Sequence, residues 1–430
     1  MKTNKKFLSI AVACGLASVS NLTQAAGFQL AEYSATGLGR AYAGEAAIAD
    51  NAGSQWRNPA MLTYLKGTQI SAGALYVNPN VDVEGDVSFY GSTSSTSSSD
   101  YANDAVIPNF YISHQVNEKW ALGLAFGTNY GMETELDSGF AASHFGDEAM
   151  VTTMEANANI AYQLTETVSI GGGIRYVMGE GHFGAKSPAQ TEALGLLTKG
   201  TTLKYMEGDD TSWGWQAGAA WQMTPNNRVG FAYKSEVDLK LSGSANIYVQ
   251  SYGKVLSDTG YMMLTLPATA ELSTYHQLTD QFALHTSINW TDWSSFEKLQ
   301  AELDTMGTVM VKEENWKDNY RFAVGATYQV DPKLALRSGV AYDTAAVSTK
   351  NRTITIPETD RIWLSVGAGY DVTEQLTLDA AFTYIFAKDA DILESRGYDS
   401  DNSAEKVGGQ FDGQMTGNVW IVGVQASYRF

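Results

Sequence analysis

Apolar and polar residues alternate along most of the chain, in runs of about 10 to 15 residues that begin near Gly67. In the last run, the apolar positions are Trp420, Val422, Val424, Ala426, Tyr428 and Phe430. Other clear runs cover residues 120–132, 168–177, 282–290, 316–330 and 376–386. A period of two predicts β-strands with one apolar face, and runs of this length match strands that cross a bilayer at a tilt.

The connections between these runs are alternately short and long. Six short turns lie near residues 117–119, 165–167, 225–227, 279–281, 331–333 and 372–374, and seven long connections lie near residues 79–104, 134–149, 181–208, 241–263, 294–314, 343–359 and 387–415. Short turns on one side and long loops on the other are typical of transmembrane barrels. Because the polar-face residues are mostly small or hydrogen-bonding, we expect the apolar face to point outward to lipid. The prediction is an all-β fold, a 14-stranded antiparallel transmembrane β-barrel over residues 68–430.

The segment from Ala26 to about Lys66 lacks this alternation and consists of small-residue turns and short helical signals. Asn58 suits a helix N-cap, and Pro59 suits the first helical position. A barrel of about 14 strands encloses a lumen that leaks unless it is filled. We therefore predict that residues 26–67 form a small helical hatch, or plug, inside the lumen.

The first 25 residues are typical of a secretory signal peptide. Three lysines within the first six residues precede an apolar core over residues 7–19, and we expect cleavage before Ala26. The single cysteine, Cys14, lies inside this signal, and lipidation there is the less favoured alternative. The mature chain then has no disulfide. Export and a membrane barrel together predict the outer membrane of a Gram-negative cell.

The composition narrows the class of protein further. The chain has 430 residues, a formal net charge of −19, 17% charged residues and 11% aromatic residues. An acidic chain repels phosphate, which argues against a nucleic-acid partner, and no apolar run reaches the roughly 18 to 20 residues of a spanning helix. The five histidines show neither metal-ligand spacing nor a neighbouring G-x-S-x-G motif, so we expect no enzyme, cofactor or metal. A calcium site among the acidic loops stays open.

The predicted hatch carries a family resemblance. Residues 26–45, AGFQLAEYSATGLGRAYAGE, followed by RNPA at residues 57–60, closely resemble the mature start of the FadL family of outer-membrane long-chain fatty acid transporters. The similarity continues through residues 129–131, 316–321 and 351–357 and covers essentially the whole mature chain. It implies a 14-stranded barrel with a hatch and passive uptake of hydrophobic ligands. In that family, ligand passes from a groove between two extracellular loops to an inner pocket and leaves sideways through a kink in the third strand.

A fatty acid needs an apolar tunnel for its tail and a cation or hydrogen-bond donors for its carboxylate. Alternation places Lys317, Arg321, Arg337 and His285 on the lumen face. Lys317 matches a family lysine at the inner pocket, and Arg321 lies one luminal step deeper, so both are candidate ligand contacts; the alternative is a cation paired with a hatch or loop carboxylate. We expect Arg337 and His285 to be wall residues satisfied by the hatch. A second basic residue of the family pattern is missing, and near its position stand Glu180, His182 and Lys186.

Apolar residues near the N-terminus and in two long connections complete the predicted ligand path. Phe28 is a candidate stopper of the inner pocket or, alternatively, an anchor of the hatch. The candidates for the extracellular groove are Leu194, Leu196, Leu197, Tyr261, Met262 and Met263. Exposed apolar loop residues of this kind mark binding surfaces, although packing of one loop on another is an equal alternative.

The third strand is the candidate lateral gate, because glycine inside a strand often marks a kink or bulge. Gly131 with Asn129 is the predicted kink, whereas Gly123 and Gly127 are small positions that make room for the hatch. The resemblance places the hatch residues Asn58, Pro59 and Ala60 beside this opening. Their other role is plain helix capping.

Two functions remain in view. The first is passive transport of long-chain fatty acids; the alternative is a channel of the same family for monoaromatic hydrocarbons. A porin or adhesin is disfavoured by the hatch. Expected partners are the hydrophobic ligand, outer-membrane lipid and lipopolysaccharide, and the barrel assembly machinery that recognises a terminal strand such as the one ending in Phe430. We expect a monomer.

Overall fold

The computed structural model describes residues 27–89, 91–395 and 408–430. The predicted signal peptide lies outside these residues. The strands are β1 Thr68–Phe89, β2 Ser92–Ser98, β3 Ala105–Gln115, β4 Trp120–Gly127, β5 Gly131–Glu135, β6 Glu148–Gln163, β7 Val168–Lys186, β8 Thr202–Thr224, β9 Asn227–Lys234, β10 Val237–Val249, β11 Lys254–Leu266, β12 Thr269–Gln277, β13 Phe282–Thr291, β14 Lys298–Leu303, β15 Gly307–Glu313, β16 Asn319–Gln329, β17 Leu334–Asp343, β18 Arg361–Asp371, β19 Leu376–Ala387, β20 Ala390–Ser395 and β21 Gln410–Arg429. All belong to one sheet.

The sheet closes into a barrel because the first and last strands pair with each other, from Gln69 opposite Arg429 to Ser88 opposite Gln410. Across the described residues, six wall strands are each divided in two and β2 adds a hairpin arm, which leaves 14 strands in the wall. Every pairing between neighbours is antiparallel. The predicted fold class is therefore confirmed.

The alternation along each strand separates an outer apolar face from an inner packed face. In β4, Leu122, Leu124 and Phe126 are about half exposed, while Ala121 and Ala125 at the alternate positions are buried. Such an outer face is stable only against lipid, because it leaves a continuous apolar belt uncovered. Among the described residues, the helices are all too short and too polar to span a membrane.

Several of the predicted long loops are β-hairpins rather than irregular loops. Strands β10 and β11 stay paired from Val237–Leu266 out to Val249–Lys254. Strands β1 and β2, and β14 and β15, form similar arms. The ladder continues because each arm satisfies its own backbone hydrogen bonds beyond the bilayer.

The N-terminal segment fills the lumen as a hatch. It contains helix α1 (Ala35–Leu38) and two 3₁₀ helices (Ala52–Trp56 and Pro59–Tyr64), whereas helix α2 (Ala189–Ala193) and the 3₁₀ helix Trp293–Ser295 lie in loops of the barrel. Wall glycines let the hatch backbone approach closely. A Cβ on Gly230 would lie 1.8 Å from the Ala46 carbonyl oxygen, and one on Gly339 would lie 2.2 Å from the Arg40 carbonyl oxygen.

Candidate functional site

The third wall strand is interrupted between β4 and β5. Gly127 pairs with Glu155 of β6, and Gly131 pairs with Thr152. Four steps along the third strand thus match three along β6, which means that one extra residue is accommodated over residues 128–130. An extra residue of this kind bends a strand and interrupts its ladder.

The same strand also separates from its other neighbour, β3. The ladder between β3 and β4 runs from Gln115–Ala121 to Phe110–Phe126. Contact resumes where the Asn103 N–H donates to the Glu133 carbonyl at 3.1 Å. Between these points, no ladder pair joins residues 104–109 to residues 127–132 within the described ranges. We call this stretch the third-strand opening. At its edge, the buried Asn109 amide lacks a hydrogen-bond partner for either its Nδ2 or its Oδ1 atom.

The start of the hatch covers the opening from inside. The Leu30 N–H donates to the Asn129 carbonyl, and the Gly131 N–H donates to the Phe28 carbonyl, both at 2.7 Å. Gln29 forms an antiparallel bridge with Tyr130. Residues 28–30 therefore act as a short added strand that uses the backbone groups freed by the interruption.

Phe28 projects from this added strand into an aromatic cluster. Its ring centroid lies 4.7 Å from Trp293, 5.5 Å from Phe296 and 6.3 Å from Trp316. The preceding Gly27 has φ +64° and fits between the two tryptophans, where a Cβ would lie 2.5 Å from the Trp293 ring. Edge-to-face rings at these distances hold the N-terminus firmly in place.

Phe28 forms one wall of a small cavity inside the barrel. The lining is mostly apolar and includes Met132, Phe183, Leu241, Met262, Leu264 and Ile356. Two charged residues, Lys312 and Glu314, stand at its edge. We call this space the apolar cavity. Its lining has the chemistry of a site for a hydrocarbon chain with one polar end.

The two charges at the apolar cavity are held by neighbouring groups. Lys312 is buried and pairs with Glu394, whose Oε2 also accepts the Ile354 N–H at 2.8 Å. Glu314 is fully buried and accepts the Trp316 indole N–H at 2.9 Å. Burial raises the pKa of the Glu314 carboxyl to about 7, against the opposing attraction of Lys312. Glu314 therefore changes charge near neutral pH.

A second, smaller cavity is lined by the hairpin arm β10–β11 together with residues of β7, β8 and β14. It shares Gly181, Leu241 and Met262 with the apolar cavity, and Tyr261 also lines it. Because this arm belongs to the long-loop side of the barrel, the shared residues connect the apolar cavity with that side.

A third cavity lies behind the added strand and is lined by Gln29, Leu30 and Ala31. Its charged lining residues are Arg57, Lys234, Glu271, Arg321 and Asp343. We call it the charged cavity. Residues 28–31 thus separate an apolar space from a charged one.

The lumenal placement of Lys317 is wrong. Strand β16 begins only at Asn319, and Lys317 is exposed, with its N–H donating to the Ala346 carbonyl at 2.8 Å. The alternation fails there because Trp316 turns inward onto Phe28. The lysine that lines the apolar cavity is Lys312, which sequence reasoning missed because it falls in a predicted loop.

Arg321 faces the lumen, as expected, but it is committed to structural partners. It pairs with Asp343 at 2.9 Å and donates to the Ala41 carbonyl of the hatch at 2.8 Å. The other two predicted wall residues, His285 and Arg337, find polar partners on the wall rather than on the hatch. His285 Nε2 lies 2.9 Å from the Thr327 hydroxyl, and Arg337 pairs with Asp379 at 2.6 Å.

The apolar residues predicted for the extracellular groove lie in two places. Leu194 and Leu196, just after α2, are about half exposed, and Leu197 is partly buried. Their loop contacts the β1–β2 arm through Gln190 and Ser94. Tyr261, Met262 and Met263 belong instead to strand β11, and the cavity that Tyr261 and Met262 line is closed by Met206, Ala301 and Leu303. A groove shared by both sets stays a prediction.

The hatch motif Asn58-Pro59-Ala60 packs against strands β7 and β8. The Asn58 side chain caps the Ala60 N–H at 2.9 Å and donates to the Ala219 carbonyl at 3.0 Å. A Cβ on Gly171 would lie 2.5 Å from the Ala60 nitrogen. The 3₁₀ helix that begins at Pro59 also contacts β4, and the expectation that the motif lies beside the third-strand opening stays a prediction.

The hatch residues Gln55 and Trp56 face glycines of the third strand. A Cβ on Gly123 would lie 2.0 Å from Gln55 Oε1, and one on Gly127 would lie 3.3 Å from the Trp56 ring. Near the position of the missing second cation, His182 lines the apolar cavity and Lys186 pairs with Asp147 at 2.7 Å.

A closed barrel with an outer apolar belt, a lumenal hatch and an apolar cavity defines an outer-membrane transport protein. The sequence model of the family described as outer membrane protein transport protein (OMPP1/FadL/TodX) matches residues 16–430. The chain belongs to this family, and it is an outer-membrane protein.

Named relatives agree with this assignment. The chain is 31% identical to the long-chain fatty acid transport protein of Escherichia coli O6:H1 over the full length of both. A Pseudomonas aeruginosa FadL homologue has a similar structure, with a TM-score of 0.84, 24% identity, and coverage of 94% of this chain and 100% of the other. The Pseudomonas putida toluene transporter TodX shares the fold at a TM-score of 0.65 and 16% identity, over 88% and 94% of the two chains.

Proposed function

We propose that this protein is a passive transporter of long-chain fatty acids across the outer membrane. The observation that carries the proposal is the apolar cavity with a buried lysine at its edge and Phe28 as its stopper. The tail would occupy the apolar lining, where each buried methylene contributes about 0.8 kcal/mol. The carboxylate would accept hydrogen bonds from Lys312, a charge-assisted contact.

Binding at Lys312 requires an exchange of partners, because Glu394 already pairs with this lysine. A ligand carboxylate replaces one carboxylate by another, so the net gain from the head group is small. Most of the affinity then comes from the tail. This predicts that affinity rises with chain length more than it depends on the head group.

Displacement of Phe28 links binding to release. A tail that fills the apolar cavity competes with the Phe28 ring for space, and the same residue belongs to the added strand at the third-strand opening. Withdrawal of residues 28–30 breaks two backbone hydrogen bonds and uncovers residues 127–132. The ligand then leaves sideways into the membrane, down its concentration gradient.

The alternative ligand is a monoaromatic hydrocarbon. The specific observation in its favour is the Lys312–Glu394 ion pair, which leaves the apolar cavity without a free cation. The aromatic rings around Phe28 would contact such a ligand face to edge. On this alternative, Lys312 closes the cavity and does not bind ligand.

The deciding experiment measures binding of labelled oleate and toluene to the purified protein in detergent. Lys312→Met is compared with Lys317→Met, which removes an exposed lysine from the same segment. We expect oleate to bind saturably, with affinity lowered by Lys312→Met and unchanged by Lys317→Met. Toluene binding that oleate does not displace would support the hydrocarbon channel instead.

The remaining partners belong to the same proposal. Phe430 ends the last strand with an exposed ring, and its N–H donates to the Thr68 carbonyl at 2.9 Å. We propose that the barrel assembly machinery recognises this terminal strand during biogenesis. The folded protein works as a monomer, with its outer belt against lipid and lipopolysaccharide.

A further inference from the structure

We propose that the charged cavity is a second carboxylate-binding site, in which Arg57 and Lys234 receive the head group after the ligand passes Phe28. This inference rests on the proposed function, because it concerns the same ligand at a later point on its path. The ligand class is a long-chain carboxylate, with the head group in the charged cavity and the tail toward the third-strand opening.

The two acids of the charged cavity are already satisfied. The Glu271 carboxylate accepts from the Ala46 N–H at 3.0 Å, the Ser273 hydroxyl at 2.6 Å and the Asn289 amide at 2.8 Å. Asp343 pairs with Arg321 at 2.9 Å and accepts the Trp363 indole N–H at 2.7 Å. These contacts occupy most of the acceptor sites of both carboxylates.

Arg57 and Lys234 are the two cations without a close acidic partner. The Arg57 Nε lies 4.0 Å from Glu271 and has no hydrogen-bond partner among the described residues. Lys234 is buried, and its Nζ contacts the neutral Asn129 Oδ1 at 3.2 Å and stands 4.3 Å from the Trp56 ring centre. A largely buried arginine whose carboxylate partner is 4.0 Å away and a buried lysine that contacts a neutral amide both favour an anion beside them.

Charge and position point to the same occupant. The lining carries three basic residues and two carboxylates, and both carboxylates already have partners. Asn129, which contacts Lys234, is also the residue whose carbonyl accepts the N–H of the added strand. A carboxylate that moves past residues 28–31 therefore meets Lys234 beside the opening in the wall.

The test uses oleate labelled with ¹³C at its carboxyl carbon and the full-length barrel in detergent, observed by NMR. We expect two protein-bound carboxyl resonances at saturation. Lys234→Met and Arg57→Gln should both remove the same resonance, that of the charged cavity. Lys312→Met should remove the other resonance, that of the apolar cavity. Lys234→Arg keeps the charge and should restore the resonance of the charged cavity. In titrations, the affinity of the second site should fall about tenfold in Lys234→Met, the effect of losing one charge-assisted contact.

The outcomes separate the two proposals. One bound resonance that only Lys312→Met removes would overturn the second site and leave the proposed function intact. A wild-type protein with no bound resonance would contradict the proposed function itself. A resonance removed by Lys234→Met but none removed by Lys312→Met would support the charged site and reject the head-group role of Lys312. Heat-dependent gel migration of each variant verifies that the barrel is folded.

Discussion

The apolar cavity and the charged cavity lie next to each other but have opposite linings. Only residues 28–31 separate them, with Phe28 on one side and Gln29, Leu30 and Ala31 on the other. A purely apolar ligand fits the first space and gains nothing from the second. An amphipathic ligand can place its tail in the apolar cavity and its carboxylate in the charged cavity. The pair of cavities therefore favours a fatty acid over a hydrocarbon.

Residues 28–31, the partition between the two cavities, are held in place much less extensively than the barrel wall. Wall strands are held by long ladders, such as the 20 paired positions between β1 and β21. The added strand has two backbone hydrogen bonds and one well-packed ring. Elements with few bonds open locally at much lower free energy than the global fold. We therefore expect the partition, rather than the wall, to be the moving part.

The largest expected effect comes from removal of the Phe28 ring. Phe28→Ala should lower the free energy of unfolding by about 3 to 5 kcal/mol, as for other buried phenylalanines, and should raise the permeability of the barrel to small apolar molecules. Urea titration in detergent measures the first quantity, and toluene flux into proteoliposomes measures the second.

The matched control is Phe296→Ala, which removes a buried ring from the same cluster but leaves the added strand intact. Phe296→Ala should lower the free energy of unfolding by a similar amount, but it should not raise the toluene flux. Equal flux in the two variants would show that loss of aromatic packing, and not loss of the stopper, opens the path.

The charged cavity depends on the seating of the hatch around Arg40 and Ala41, because the Ala41 carbonyl holds Arg321. In Gly339→Ala, the new Cβ would meet the Arg40 carbonyl oxygen at 2.2 Å, next to Ala41, whose carbonyl holds Arg321. We expect this overpacking to cost about 1 to 3 kcal/mol and to disturb the charged cavity first. In an oleate titration observed by carboxyl NMR, the resonance assigned to the charged cavity should be shifted or lost.

Gly172→Ala serves as the control for this substitution. Its nearest neighbour would be the Gln216 carbonyl oxygen at 3.5 Å, an ordinary contact. Stability and both oleate signals should stay at wild-type values. If Gly339→Ala also behaves like wild type, the hatch is not seated as tightly as the close approach indicates.

The smallest expected effect concerns pH and the apolar cavity. The pKa of Glu314 is raised to about 7, so this residue is mostly neutral at pH 6 and mostly charged at pH 8. Its negative charge competes with a ligand anion for Lys312. Binding of a long-chain alkyl sulfonate, which stays ionised throughout, should therefore tighten about three- to tenfold as the pH falls from 8 to 6, equivalent to about 0.7 to 1.4 kcal/mol. Isothermal titration calorimetry at the two pH values measures this change in affinity.

Glu314→Gln should reduce this pH dependence, and the part that remains is expected from Lys312, whose pKa burial lowers to about 8. The pH trend persisting unchanged in this variant would assign it to another group. Glu313→Gln is the neighbouring control, since Glu313 does not line the apolar cavity, and it should leave the trend in place.

Much of the fold was predictable because strand periodicity is a local property. A residue's parity within a run decides which face it occupies, and the exposed Phe322 and buried Arg321 follow that rule. The glycines of the third strand likewise marked where its ladder is interrupted. The same reasoning failed at Lys317, because one inward turn at Trp316 ends the alternation two residues before β16 begins.

The sequence by itself determined the barrel, its outward face, the hatch and the family, since each is written in short-range pattern or in contiguous motifs. Only the tertiary structure decided that Lys312, not Lys317, lines the apolar cavity, and that Asn58 packs against β7 and β8. It also brought Arg57 of the hatch beside Lys234 of β9. The physical reason is that a cavity forms between segments far apart in the chain, and no local pattern records which of them meet.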